Sequence, residues 1–108
     1  MEDKKEGTEG AMELEDLRRR VDELDRRIVR LLSERGELCR AIGRSKRNLK
    51  LSLRDPQREE EVCRNITSHN PGPFPDEALQ AIYREIMRAA LDLEGEEKGD
   101  SPRPSSEG

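Results

Sequence analysis

The stretch LEDLRRRVDELDRRIVRLLSERGELCRAIGRSK, Leu14–Lys46, decides the fold. Leu14, Leu17, Val21, Leu24, Ile28, Leu31, Arg35, Leu38 and Ile42 are spaced alternately 3 and 4 residues apart. That spacing draws a heptad seam along one face of a single helix. No proline interrupts it before Pro56. A helix from about Met12 to Lys46 is roughly 50 Å long at 1.5 Å per residue. A compact globule of this size is only about 35 Å across. The helix therefore protrudes from any single-chain fold, and its apolar seam calls for a partner.

Outward from this segment the pattern stays helical. Asp55-Pro56 opens a second helix, with Asp as N-cap and Pro at the first helical position. It carries Val62 and Ile66 and ends near Ser68. The stretch His69-Asn-Pro-Gly-Pro-Phe-Pro75 is a rigid loop, because proline blocks helix and fixes the backbone. A third helix begins near Asp76, places Leu79, Ile82, Tyr83, Ile86, Ala90 and Leu93 on one stripe, and stops at Gly95. The expected class is all-α, with one long, one short and one medium helix. Residues 1–11 and 95–108 have the polar, Gly-, Ser- and Pro-bearing composition of disordered tails, leaving 12–94 as the folded domain.

Composition narrows the function. Charged residues make up 43% of the 108 and hydrophobic ones 31%, with no Trp, one Tyr and one Phe. So little core favours burial against a second copy. The net charge of −4, with both signs interspersed, argues against nucleic acid as a partner. Cys39 and Cys63 lack metal-ligand spacing. No signal peptide or membrane-length apolar run is present, so a cytoplasmic protein that does not engage a membrane is expected.

Charges stand where a core is expected. Arg35 takes a seam position, and Lys46, 11 residues later, projects within about 20° of it, roughly 16 Å along the axis. An anionic ligand between them would explain both, although Arg35 taken alone reads equally as a snorkelling or register-setting cation. Arg18 also flanks the seam, roughly 25 Å before Arg35, so it can join such a site only from a second, antiparallel chain. Arg58 lies on the apolar side of the second helix, and Glu94 on the stripe of the third. Asp55 needs no role beyond its cap, and Glu94 taken alone reads as a frayed carboxylate beside Gly95. Gly36 and Gly43, one heptad apart, admit a close helix or a ligand. Lys46, at a helix end, is expected to contribute little to stability.

The run Leu17-Arg18, Leu24-Asp25, Ile28, Leu31-Leu32, Glu34-Arg35, Ile42-Gly43, Lys46, Arg54-Asp55-Pro56, Arg58-Glu59 resembles the all-helical (AroQ-class) chorismate mutases. The loop Asn70–Asp76 and the helix Ile82-Tyr83-Arg84-Glu85-Ile86 look most like mutase domains fused to 3-deoxy-heptulosonate phosphate synthase in some Gram-positive bacteria. The resemblance implies an entwined homodimer of three-helix chains with shared sites, converting chorismate to prephenate without a cofactor or metal. It implies that Arg35 and the partner's Arg18 clamp the substrate carboxylates, with Arg58 as a further cationic wall. Asp55 (through its backbone) and Glu59 would hold the ring hydroxyl, with Arg54 beside them among the substrate-binding residues. Lys46 would donate to the breaking ether oxygen. Two positions depart from the pattern: Ala90 where relatives often have Ser, and Glu94 where they often have Gln as second donor. A partner synthase would also be implied. The competing readings are a non-catalytic helical dimerisation module and a regulatory subunit of such a synthase.

Overall fold

The computed structural model describes the backbone of residues 2–96 and the side chains from residue 10 onward. Three helices follow one another: α1 (Glu2–Asn48), α2 (Pro56–Ser68) and α3 (Asp76–Glu94), with no strand among the described residues. The all-α, long–short–medium order is the one expected. Helix α1 starts at Glu2, so its backbone takes in the stretch read as an N-terminal tail. Most of the C-terminal stretch so read, residues 97–108, lies outside the described residues.

The ends of α2 and α3 follow from local chemistry. The Asp55 carboxylate accepts a hydrogen bond from the Arg58 backbone N–H at 3.2 Å, and Pro56 occupies the first turn, where its missing N–H costs nothing. Helix α3 ends at Gly95, whose N–H bonds the Leu91 carbonyl at 3.0 Å, while the Glu96 N–H takes the Leu93 carbonyl at 3.2 Å. Helix α1 runs two residues past Lys46 and leaves the helix through Lys50, which has φ 60°. Between α2 and α3, Asn70 organises the loop. Its amide donates to Phe74 O and to Asp76 Oδ1, and its Oδ1 accepts from the Gly72 N–H.

The chain divides into two compact units, Met1–Arg35 and Gly36–Gly108. In the first, the seam residues Leu17, Val21, Leu24, Ile28 and Leu31 are all exposed, Leu31 by 62%. In the second, α2 packs against α3, and the described residues bury only two apolar side chains, Cys39 and Ala90. Leu38 and Ile42 remain exposed there, Leu38 by 65%. The apolar surface that a core would normally use is thus left outside the single chain.

Within the second unit, the end of α1 meets the end of α3 at two glycines. A Cβ on Gly43 would lie 2.6 Å from Glu94 Cα and 2.7 Å from Glu94 C, a backbone that cannot rotate away. A Cβ on Gly36 would meet only the Leu93 Cδ1 methyl, at 3.0 Å. Gly43→Ala is therefore expected to destabilise the fold by about 2 kcal/mol or more, as overpacking does. Gly36→Ala should lie near neutral, because a better helix propensity worth about 1 kcal/mol offsets a small side-chain shift. Urea unfolding of both variants at one protein concentration checks the ordering.

Candidate active site

Of the charges that the sequence places on apolar stripes, two, Lys46 and Glu94, meet at the junction of α1 and α3. Lys46 stands in the last turn of α1, where the negative end of the helix dipole favours a cation. Its Nζ donates to Glu94 Oε1 at 2.9 Å and to the Leu53 backbone carbonyl at 2.6 Å. The two side chains are only 17% and 13% exposed, so water screens the pair weakly. An ammonium has three N–H donors. Two are committed here.

The expectation that Lys46 contributes little to stability needs correcting. Lys46 tethers the segment after α1, through Leu53, to the end of α3, through Glu94. Glu94 is likewise no frayed carboxylate: it is half-buried and paired.

Around this pair lie groups the sequence did not single out. Arg47 donates from one terminal nitrogen to the Glu94 carbonyl at 2.6 Å and from the other to the Glu96 carbonyl at 2.8 Å. Arg40 Nε donates to Glu96 Oε1 at 3.0 Å. Neither arginine interrupts an apolar stripe, and that was the signal that exposed Arg35 and Lys46. Gly43 was visible as a mid-helix glycine, and its use is the close approach of Glu94.

The start of α2 holds a second, more open group. Arg54 Nε donates to Glu59 Oε2 at 3.3 Å, and Asp55 caps the helix. Glu59 is half-buried, whereas Arg54 is exposed. Arg58 was read on the apolar side of α2. Its side chain is 66% exposed, and it donates to Glu61 Oε1 at 3.2 Å, one turn further along. Ala90, one turn before Glu94, is buried. In the first unit, Arg18 is exposed and Arg35 half-buried. A surface cavity of 640 Å³ opens at the α2–α3 loop, between His69, Phe74, Leu79 and Tyr83, and none of the expected site residues lines it. Among the described residues, no group of three or more His, Cys, Asp or Glu could hold a metal ion, and no helix is long and apolar enough to cross a membrane.

Residues 17–95 match the family described as chorismate mutase type II. The chain belongs to that family. The match takes in Arg18, Arg35, Lys46, the start of α2 and Glu94. Among solved structures, the chorismate mutase of Thermus thermophilus (form II) is 49% identical, with a TM-score of 0.76, covering 78% of this chain and 96% of that one. Form I of the same enzyme is 48% identical, with a TM-score of 0.69, covering 71% and 96%. The bifunctional chorismate mutase/prephenate dehydratase of Aquifex aeolicus is 44% identical over 86 residues, which is 76% of this chain and 24% of that protein. That of Neisseria gonorrhoeae is 39% identical over 77 residues, 71% and 21%. The chain thus spans about a quarter of the length of these two bifunctional relatives. Those mutase-family relatives carry a dehydratase, not the synthase suggested by the α2–α3 loop.

Removing the partner of a weakly screened charge leaves that charge uncompensated. Lys46→Met should lower the unfolding free energy by about 1–3 kcal/mol. Glu94→Gln keeps the Oε1 acceptor and should cost less than about 1 kcal/mol. Chemical unfolding at fixed concentration checks this, and equal effects would show that the pair adds nothing.

Proposed function

We propose that this chain is a chorismate mutase that rearranges chorismate to prephenate in sites shared by two copies. The observation that carries the reading is Lys46, held between Leu53 O and Glu94, in a chain of the chorismate mutase type II family. The reaction is an intramolecular rearrangement. The ether C–O bond breaks while a C–C bond forms, and no proton or electron enters or leaves. It needs no nucleophile and no base. The site must fold a flexible dianion into its reactive shape and stabilise the charge that develops on the ether oxygen.

Each residue has a part in this scheme. Arg35 and Arg18 of the partner subunit take the two carboxylates, and Arg58 adds positive charge at the wall. Such clamps supply orientation, worth several kcal/mol in favourable cases. The Asp55 backbone and Glu59 hold the ring hydroxyl, with Arg54 orienting Glu59 through their 3.3 Å hydrogen bond. Lys46 donates its remaining N–H to the ether oxygen. A preorganised donor of this kind contributes roughly 3 to 4 kcal/mol to transition-state stabilisation. Glu94 lies beside the same oxygen and holds the Lys46 ammonium through their 2.9 Å hydrogen bond. Ala90 adds shape and no hydrogen bond.

The homodimer belongs to the same proposal. It is supported by the exposed seam from Leu17 to Ile42 and by the separation of Arg18 from Arg35 along α1. Cytoplasmic location and a 3-deoxy-heptulosonate phosphate synthase as partner are further parts of it. The synthase rests on the resemblance of the α2–α3 loop and of the helix Ile82–Ile86, and co-elution with the purified synthase decides it.

Purified protein should abolish chorismate absorbance with turnover. Arg18→Ala and Arg35→Ala should each be inactive, and mixing them should restore part of the activity through one intact site per heterodimer. No recovery after verified subunit exchange, or an active monomer in sedimentation, would sink site sharing.

Lys46→Ala should lower kcat by about 100-fold or more, well beyond its effect on folding. A change confined to KM would reduce Lys46 to a binding residue. Glu94→Gln places an N–H donor beside the ether oxygen where the carboxylate offers only acceptors, so it should raise kcat. Equal kcat for the two proteins would remove Glu94 from the site.

A further inference from the structure

We infer that Arg47 is a positioning residue for Glu94, fixing the main chain of the residue whose side chain Lys46 holds. The inference rests on the proposal that Glu94 faces the reacting ether oxygen. The last four carbonyls of a helix have no intrahelical partner. At the end of α3, those of Leu91 and Leu93 are taken by the Gly95 and Glu96 N–H groups. The Glu94 carbonyl is taken from outside the helix, by Arg47 at 2.6 Å, and the other terminal nitrogen of the same guanidinium reaches Glu96 O at 2.8 Å. A planar fork with two parallel donors suits such a bridge, and a point-like ammonium does not.

Three contacts converge on Glu94. Lys46 holds the carboxylate at 2.9 Å, Arg47 holds the carbonyl, and Gly43 leaves no room for a Cβ against the Cα. Lys46 and Arg47 are consecutive, so helical geometry turns them about 100° apart. One grips the side chain while the other grips the backbone. Among the described residues, Glu94 is followed by Gly95, which restrains a backbone least, and Glu96, whose carboxylate Arg40 holds at 3.0 Å. Without the fork, the final turn of α3 loses its external hydrogen bonds, and Glu94 shifts relative to Lys46. The Lys46 ammonium that Glu94 holds then loses its aim, and misplacement of such a donor by an ångström can cost about 100-fold in rate. Arg47 itself is occupied by the two carbonyls, so its effect on the reaction passes through Glu94.

Arg47→Lys separates this role from simple charge. It keeps a cation in the last turn of α1, where any cation favours the helix dipole, and it removes the fork. The variant should be compared with wild type in two backgrounds, native and Glu94→Ala, by kcat and KM and by amide hydrogen exchange at Gly95 and Glu96. The expected result is a roughly tenfold loss of kcat with KM within about twofold, together with faster exchange at both amides. In the Glu94→Ala background the same change should alter kcat by less than about twofold, because nothing is left to position. An equal loss in both backgrounds would overturn the inference and make Arg47 a general support of the fold. Wild-type kcat and exchange in Arg47→Lys would overturn it in favour of the dipole alone. If wild-type protein fails to convert chorismate, the proposed function falls, and the exchange data still judge the grip. Faster exchange at Gly95 and Glu96 would uphold it, and unchanged exchange would overturn it.

Discussion

The end of α3 lies against the end of α1 with no side chain between them at Gly43, and the rest of the second unit depends on that approach. It brings together two helix C-termini, each carrying roughly half a negative charge from its macrodipole. Glu94 and Glu96 add two carboxylates. Left alone, this junction would repel itself. Arg40, Lys46 and Arg47 offset the repulsion, and every one of them makes a hydrogen bond to Glu94 or Glu96. The cations on this part of α1 are therefore structural. In the proposed site, one of them, Lys46, is also the electropositive donor.

This bonding contrasts with how little apolar surface one chain buries. Cys39 and Ala90 are the only buried apolar side chains among the described residues, while the seam leucines stay in water. Burying a leucine side chain is worth roughly 1.5–3 kcal/mol, so a row of them left exposed forgoes most of what stabilises a small domain. Polar contacts at the α1–α3 junction set geometry, and the proposed second copy supplies the burial. The heptad face and the charged junction thus divide the two tasks between different stretches of one helix.

The sequence made the helices legible where a residue type has one physical use. Asp55-Pro56 marks the start of α2 because Asp accepts the orphan N–H and Pro lacks one. Gly95 marks the end of α3 in the same way. The end of α1 was less legible, since its exit runs through Lys50 at φ 60°, a conformation that nothing in a lysine announces. Lys46 and Glu94 could be found because charges on an apolar stripe conflict with their surroundings. Arg58 was placed on the apolar side by spacing alone, yet one turn of α2 offers it Glu61 and solvent. Arg47 could not be found at all. It is one of 21 basic residues, and its meaning comes from carbonyls 47 and 49 positions away in sequence.

A glutamate at position 94 then follows a physical trade. A glutamine there would offer Lys46 only a neutral oxygen and would offer a ligand an N–H donor. The carboxylate holds Lys46 more strongly, because it sets a full negative charge against the ammonium where an amide offers only a dipole. The ammonium is therefore already aimed before any ligand arrives, and no reorganisation is needed when charge develops beside it. The cost falls on the same atoms. An ionised Glu94 places negative charge next to a donor whose proposed task is to stabilise negative charge. Binding a dianion beside that carboxylate then requires cations that the junction has not already used. Arg40, Lys46 and Arg47 are committed to Glu94 and Glu96, and in the proposed scheme the substrate carboxylates are taken elsewhere, by Arg35 and by Arg18 of the partner subunit.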